Sequence, residues 1–270
     1  MSPELLRENV GRIRSRMGAC FLGSHAVFRG HDLHAELGDL EWTALYLLGI
    51  TGRRFTDAQV RLLEALWCYT SYPDARIWNN RVAALAGTTR SSGNLGVSAA
   101  LALSEAAIYG RGIDVRAIDF FIRTRAHLAG GGALGPWVRD ELERCRSLAG
   151  YGRPVAQGDE RIQPILALAR SLGLSDGPHL ALAFEVERCL AEARLRLHIN
   201  YGAVAAAIGA DQGLSPREYY LFTFPTFLAG MVPCYVEAAE RPEGTLMPLP
   251  CAAVAYRGAP RRSWKGREVV

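Results

Sequence analysis

A glycine-rich segment in the middle of the chain has the residue types of a ligand-contacting loop. Residues 149–154, here called the glycine loop, read AGYGRP and separate two stretches with helical periodicity. Glycine permits backbone angles and close approaches that other residues do not, so the amides of Gly150, Tyr151 and Gly152 could face a phosphate or carbonyl oxygen. An ordinary turn between two helices is the alternative, and the sequence leaves both interpretations open.

Three histidines near the start of the chain, His25, His31 and His34, have the residue type of metal ligands. Their spacing fits no single helix face, whereas a zinc site needs its ligands at fixed tetrahedral positions. We therefore predict no metal centre.

The basic residues exclude several chemistries. The 31 lysine and arginine residues include a single lysine, Lys265, close to the C-terminus. A Walker-type phosphate loop needs a lysine between a strand and a helix, and imine or pyridoxal chemistry needs a lysine on a packed element. A net charge of +4 gives little support for nucleic-acid binding. The basic stretch Arg261–Arg267 is typical of a frayed terminus.

Cysteine usage and hydropathy indicate the compartment. The 6 cysteines include no Cys-x-x-Cys pair and mostly have apolar neighbours, which is typical of reduced thiols packed as small apolar groups. No stretch reaches the roughly 18 apolar residues that a membrane span needs, and the N-terminus has no apolar signal core. We expect a cytoplasmic protein without membrane segments.

The elements that must position these residues are predicted to be nearly all helices. Alanine and leucine are abundant, and apolar residues recur every three or four positions. Residues 56–59 (TDAQ) and 215–218 (SPRE) each form the pattern of a capping box, in which the first and fourth residues satisfy each other's backbone amides. Candidate strands are limited to Ser24–Arg29 and Ala252–Arg257, which we expect to pair with each other. The predicted class is all-α.

Several segments, taken in order, resemble the citrate synthase superfamily, and especially its short citryl-CoA lyase branch, which includes the C-terminal module of ATP-citrate lyase. The resemblance covers about residues 22–260, and the ordered set carries it rather than any one motif. The matching segments are 27–33 (VFRGHDL), 47–56 (LLGITGRRFT), 80–110, the glycine loop with Asp159–Arg161, 229–234 (AGMVPC) and 250–258.

This resemblance implies a citrate synthase-like fold with two helical domains. Residues 1–107 and 199–270 are expected to form a large domain that carries a homodimer interface. Residues 108–198 are expected to form a small domain on the acyl-CoA side of a cleft. The implied co-substrate is coenzyme A or an acyl-CoA thioester, with no permanently bound cofactor, and an acyl carrier protein is a further possible partner.

The catalytic positions implied by the resemblance are substituted. Family members use a histidine to stabilise an enol, a second histidine to polarise a carbonyl and an aspartate as base. Here these positions hold Tyr109, Arg153 and His198, with Asn200 as the other choice for the aspartate. Tyr109 can donate a hydrogen bond to an enolate, Arg153 can hold a carbonyl or carboxylate oxygen, and a histidine can act as a base.

The substrate-binding positions implied by the resemblance also differ. Tyr72 stands where a histidine is expected and Phe227 where an arginine is expected, while Met247 or Pro248 replaces an arginine of the tail. Arg161 alone keeps its type. Gly150, Tyr151 and Gly152 are assigned to cofactor binding. Each lost arginine removes a charge-assisted carboxylate contact of about 1.5–3 kcal/mol, so oxaloacetate fits this set poorly.

Three functional hypotheses follow. The first is a diverged enzyme that makes or breaks a carbon–carbon bond next to an acyl thioester, through an enolate, on a substrate less anionic than oxaloacetate, as in specialised biosynthesis. It rests on the polar character of the replacements. The second is a non-catalytic homologue that binds coenzyme A or a partner, because nearly the whole catalytic set is altered. The third is a cleft used for chemistry without thioesters.

Overall fold

The computed structural model describes residues 3–11, 13–153, 158–246, 251–253 and 255–262. Helices dominate these residues. In chain order they are α1 (Pro3–Asn9), α2 (Trp42–Thr51), α3 (Asp57–Thr70), α4 (Trp78–Thr88), α5 (Gly93–Leu103), α6 (Arg111–Ala129), α7 (Leu134–Cys145), α8 (Ile162–Ser171), α9 (Pro178–Glu192), α10 (Tyr201–Asp211), α11 (Pro216–Phe222) and α12 (Leu228–Glu240).

Both predicted capping boxes are present and start their helices. The Thr56 hydroxyl accepts from the Gln59 amide at the start of α3, and the Gln59 side chain accepts from the Thr56 amide. Ser215 and Glu218 make the same reciprocal pair at the start of α11. These contacts satisfy amides that the first helical turn leaves without partners.

The main core forms around α10, which is buried along almost its whole length. Its alanines, such as Ala203 and Ala207, are buried, and their small side chains let α6 and α9 approach closely. The same cluster includes apolar residues of α3, α8 and α11. The core therefore continues across the boundaries at 107/108 and 198/199, and the two-domain division at those points stays a prediction.

A second layer consists of α4, α5 and α12, which pack on one another. Its two buried clusters are small and centre on Ala83 with Met231 and on Ala84 with Cys234. The layer also leaves large apolar side chains exposed, among them Leu95, Val232 and Val236.

The β structure lies near the N-terminus and differs in part from the prediction. The strand predicted within Ser24–Arg29 is confirmed as β2 (His25–Phe28), but it pairs antiparallel with β1 (Gly18–Phe21) and β3 (His31–Asp32). The predicted partner, Ala252–Arg257, forms no strand in its described residues, and Cys251–Ala253 is a 3-10 turn. A nearby hairpin partner closes a much shorter loop, which costs less chain entropy.

The Arg29 side chain fastens this sheet to the helices. Its Nε donates to the Gly49 carbonyl at 3.0 Å, and its Nη2 donates to the Ile50 carbonyl at 3.1 Å, near the end of α2. No helix among the described residues is both long and apolar enough to cross a membrane.

Candidate active site

A cavity of about 340 Å³ lies where the ends of several helices meet, and we call it the central cavity. Its walls come from sequence-distant segments, which makes it a product of the tertiary fold. The contributing segments are the end of α3, residues 108–114, residues 147–153, Asp159 with Arg161, the start of α10, and residues 219–227.

The start of α10 forms one wall together with the glycine loop. Asn200 caps the helix, since its Oδ1 accepts from the Gly202 amide at 2.9 Å, while its Nδ2 donates to the Gly152 carbonyl at 2.9 Å. The Asn200 amide also donates to the Gly150 carbonyl at 2.9 Å, and Tyr151 forms an antiparallel bridge with Ile199. The loop and the helix start are thus joined through both backbone and side chain.

The glycines of the loop are needed for geometry. Gly150 and Gly152 have φ of 88° and 87°, a region that favours glycine. The amides of Tyr151 and Gly152 donate to the carbonyls of Leu148 and His198. These two amides are therefore occupied, which corrects the expectation that they face a ligand oxygen.

The side chain of Tyr151 is buried in the core. Its hydroxyl donates to the Ala183 carbonyl at 2.7 Å, and burial raises its pKa well above the ordinary value. Because the hydroxyl is already bonded to the Ala183 carbonyl, the predicted role of Tyr151 in cofactor binding rests on its place in the loop and not on the phenol.

Two arginines border the cavity, and both already have acidic partners. Arg161 donates from Nε and Nη2 to the two oxygens of Asp159, each at 2.8 Å, and lies over the Tyr201 ring at 4.7 Å. Arg153 donates from Nη1 to Glu160 at 3.2 Å and to the Gly158 carbonyl at 2.9 Å. Hydrogen bonds and the charge of Arg161 outweigh burial and lower the pKa of Asp159.

Tyr109 and Phe227 border the cavity with unusual backbone conformations. Their φ values are 61° and 75°, in the left-handed region that costs a bulky residue about 1–3 kcal/mol. Tyr109 immediately precedes Gly110, the N-cap residue of α6, and Phe227 is the N-cap residue of α12. Strained residues of this kind cluster at functional sites, so the two conformations favour a functional role for Tyr109 and Phe227.

Asp114 is a cavity residue that the sequence did not single out. It lies in the first turn of α6 and is partly buried. Its carboxylate has no hydrogen bond or ion pair with any described residue. Burial raises its pKa to about 6, a shift that the nearby charges of Arg111 and Arg161 only partly offset. A carboxylate with this pKa can exchange protons near neutral pH.

His198 and Tyr72 lie outside the lining of the central cavity. The side chain of His198 is 79% exposed, with its Nδ1 3.7 Å from Glu187. Tyr72 donates to Glu160 at 3.0 Å and lies beside Arg161. The assignment of His198 as base therefore receives no support from its placement, and the residue at the cavity is the alternative, Asn200. The position of Met247 and Pro248 lies outside the described residues.

Metal-binding geometry is not found among the described side chains: no cluster of three or more histidine, cysteine, aspartate or glutamate residues could hold a metal ion. His31 instead pairs with Glu36, with 3.0 Å between Nδ1 and Oε2.

The chain has the mainly helical fold of solved citryl-CoA lyase, ATP citrate lyase and citrate synthase structures. The similarity to citryl-CoA lyase from Hydrogenobacter thermophilus has a TM-score of 0.80 at 22% identity and covers 94% of this chain and 97% of that one. This confirms the predicted all-α, citrate synthase-like fold.

Two further structures show the same fold. ATP citrate lyase from Methanothrix soehngenii, in complex with citrate and coenzyme A, matches with a TM-score of 0.72 at 15% identity, over 95% of this chain and 44% of that one. Citrate synthase from Thermoplasma acidophilum, in complex with carboxymethyl coenzyme A and oxaloacetate, matches with a TM-score of 0.63 at 20% identity, over 83% and 59%. No protein-family model and no curated protein matches the sequence.

Proposed function

We propose that this chain is an enzyme that makes or breaks a carbon–carbon bond next to an acyl thioester, on a substrate less anionic than oxaloacetate or citrate. The fold supports the reaction class, because the similar structures are a citryl-CoA lyase, an ATP citrate lyase in complex with citrate and coenzyme A, and a citrate synthase in complex with carboxymethyl coenzyme A and oxaloacetate. Coenzyme A, or a carrier protein with an equivalent thioester arm, is the proposed acyl carrier.

The charge balance of the central cavity carries the substrate part of the proposal. Its ionisable lining, apart from tyrosines, is Arg153 and Arg161 against Asp114 and Asp159. Arg161 gives its Nε and Nη2 to Asp159, and Arg153 gives its Nη1 to Glu160, so the positive charge of each arginine already has a carboxylate partner in the chain. Phe227 adds an apolar surface where the resemblance expects an arginine. A dicarboxylate would find no excess positive charge here and would meet the Asp114 carboxylate, which has no ion-pair partner among the described residues.

Polar groups remain for the chemistry of an enolate. Tyr109 borders the cavity and is the proposed hydrogen-bond donor to the enolate oxygen. Arg153 is proposed to donate a hydrogen bond to a carbonyl oxygen. Its contacts with Glu160 and Gly158 both use Nη1, so its other guanidinium N–H groups remain for the substrate. Preorganised donors at a developing negative charge are a large source of rate enhancement.

A homodimer is the proposed assembly. The layer of α4, α5 and α12 has only small buried clusters and exposes Leu95, Val232 and Val236. Apolar side chains concentrated on one layer are typical of an association surface. Light scattering coupled to size exclusion tests this, and Val236→Glu should shift a dimer to monomer.

Calorimetry with coenzyme A, acetyl-CoA and oxaloacetate tests the proposed function. We expect binding of the two CoA compounds and little heat with oxaloacetate. The variant Phe227→Arg restores a cation and should raise the affinity for oxaloacetate by about tenfold or more. Leu22→Arg, which adds the same charge at a 94% exposed position outside the cavity, is the matched control and should not. Absence of CoA binding at millimolar concentration contradicts the proposal, and tight oxaloacetate binding by the wild type contradicts its substrate part.

A further inference from the structure

The residue at the start of α10 cannot act as a base. Asn200 occupies the cavity wall at the position where the resemblance allows the aspartate, and a neutral amide does not accept a proton near neutral pH. Its two polar atoms are also occupied, Oδ1 by the Gly202 amide and Nδ2 by the Gly152 carbonyl. An enolate mechanism in this cavity therefore needs its base from elsewhere.

Asp114 lies directly beside this position. The point that a Cβ on Gly202 would occupy is 3.1 Å from Asn200 Oδ1 and 3.6 Å from Asp114 Oδ1. Asp114 from α6 and Asn200 from the cap of α10 thus both place a side-chain oxygen next to Gly202. Of the two acidic residues that line the cavity, Asp159 is held by Arg161 and the Tyr201 amide, whereas Asp114 has no such partner among the described residues.

We propose that Asp114 is the general base that removes the α-proton of the acyl thioester, an inference that rests on the function proposed above. The carboxylate oxygen takes the proton, the C–H electron pair becomes the C=C bond of the enolate, and the thioester carbonyl electrons move onto its oxygen. In the direction of bond cleavage, the protonated Asp114 returns the proton to the α-carbon.

The surroundings of Asp114 suit this role. Arg111 on its own helix and Arg161 across the cavity contribute positive charge, and Tyr219 of α11 faces it as a neutral phenol whose pKa burial raises well above the ordinary value. The carboxyl pKa of about 6 leaves the group ionised at neutral pH but more basic than an ordinary aspartate. His198, the competing base, is 79% exposed and outside the lining.

Exchange of α-protons of acetyl-CoA and propionyl-CoA in D₂O, followed by mass spectrometry, tests the inference. Four variants are compared with the wild type: Asp114→Asn, Asp114→Glu, His198→Gln, and Asp119→Asn as a matched control on the same helix. Asp119 pairs with Arg123 at 2.7 Å and does not line the cavity. Circular dichroism verifies that each variant folds.

We expect Asp114→Asn to slow exchange by about 100-fold or more, Asp114→Glu to recover part of it, and the other two variants to exchange at the wild-type rate. The wild-type rate should rise with pH, reach half its maximum near pH 6 and level off above about pH 7, and Asp114→Asn should lack this rise. Wild-type exchange that persists in Asp114→Asn, or is lost only in His198→Gln, overturns the assignment alone. Absence of wild-type exchange with both thioesters overturns the proposed enolate chemistry itself.

Discussion

Arg161 and Asp159 face each other through two parallel hydrogen bonds of 2.8 Å at the edge of the central cavity. The side chain of Asp159 is fully buried, and that of Arg161 is 22% exposed. The pair also reaches the start of α10, because Asp159 accepts from the Tyr201 amide at 2.8 Å. An arginine that the sequence offers as a carboxylate clamp is thus already committed to a carboxylate of its own chain.

Removing the Asp159 charge should destabilise the protein strongly. Asp159→Asn leaves the largely buried Arg161 without its counter-charge, and a broken buried pair costs about 3–5 kcal/mol. The control Glu185→Gln removes one partner of the exposed Arg188–Glu185 pair at 4.0 Å, for which we expect a change below about 1 kcal/mol. Urea unfolding measures both, and equal effects would contradict this account of the Arg161–Asp159 pair.

Asp114 should make stability fall as pH rises through a defined window. Its pKa is raised from 3.8 to about 6 in the folded chain, so the folded state binds more protons between these values and ionisation costs stability. The free energy of unfolding of Asp114→Asn should be close to that of the wild type near pH 4 and about 2 kcal/mol larger above about pH 6.5. The difference between the two unfolding free energies across pH measures this, and a constant difference would disagree with it.

The left-handed conformation of Tyr109 should lower the stability of the protein while keeping the phenol at the cavity for catalysis. Glycine relieves the strain at φ 61°, so Tyr109→Gly should cost little stability or raise it by up to about 1 kcal/mol, while abolishing α-proton exchange. Arg194 has φ 59° and is exposed outside the cavity. Arg194→Gly is therefore the control, with a similar stability change and unaltered exchange. Equal exchange in both variants would remove Tyr109 from the proposed mechanism.

Gly150 should tolerate no side chain. A Cβ there would lie 2.6 Å from the Ala203 Cβ and 2.8 Å from its Cα, and φ is 88°. Gly150→Ala combines overpacking with backbone strain, so we expect a loss of about 3 kcal/mol or more. Gly173 also has positive φ but has nothing within 4 Å of its Cβ position, so Gly173→Ala should lose only about 1 kcal/mol. Thermal unfolding measures both variants. The larger loss expected for Gly150→Ala reports the steric crowding against Ala203, and the loss for Gly173→Ala reports the backbone strain alone.

Local signals predicted the helical architecture well. The Thr56 and Ser215 capping boxes each start a helix because they depend only on neighbouring residues. The C-terminal strand prediction was wrong because β pairing depends on partners that a short apolar run does not specify, and a hairpin neighbour was available to His25–Phe28.

The site was harder to predict because its walls come from distant segments. Asp114 has no motif around it, and only the packing of α6 beside the start of α10 gives it significance. One available signal could have favoured Asn200 over His198, since asparagine is among the preferred N-cap residues and a helical pattern follows it. That signal places residue 200 at the helix start, where the structure finds it.

The joined backbone of the glycine loop and the α10 start has a consequence for redesign. Three hydrogen bonds connect residues 150–152 with 198–200, so inserting or deleting residues in either segment would displace the other. Directed evolution of a new substrate range should leave this wall intact and randomise Ile108, Ile113 and Phe227, whose side chains border the same cavity without belonging to that connection.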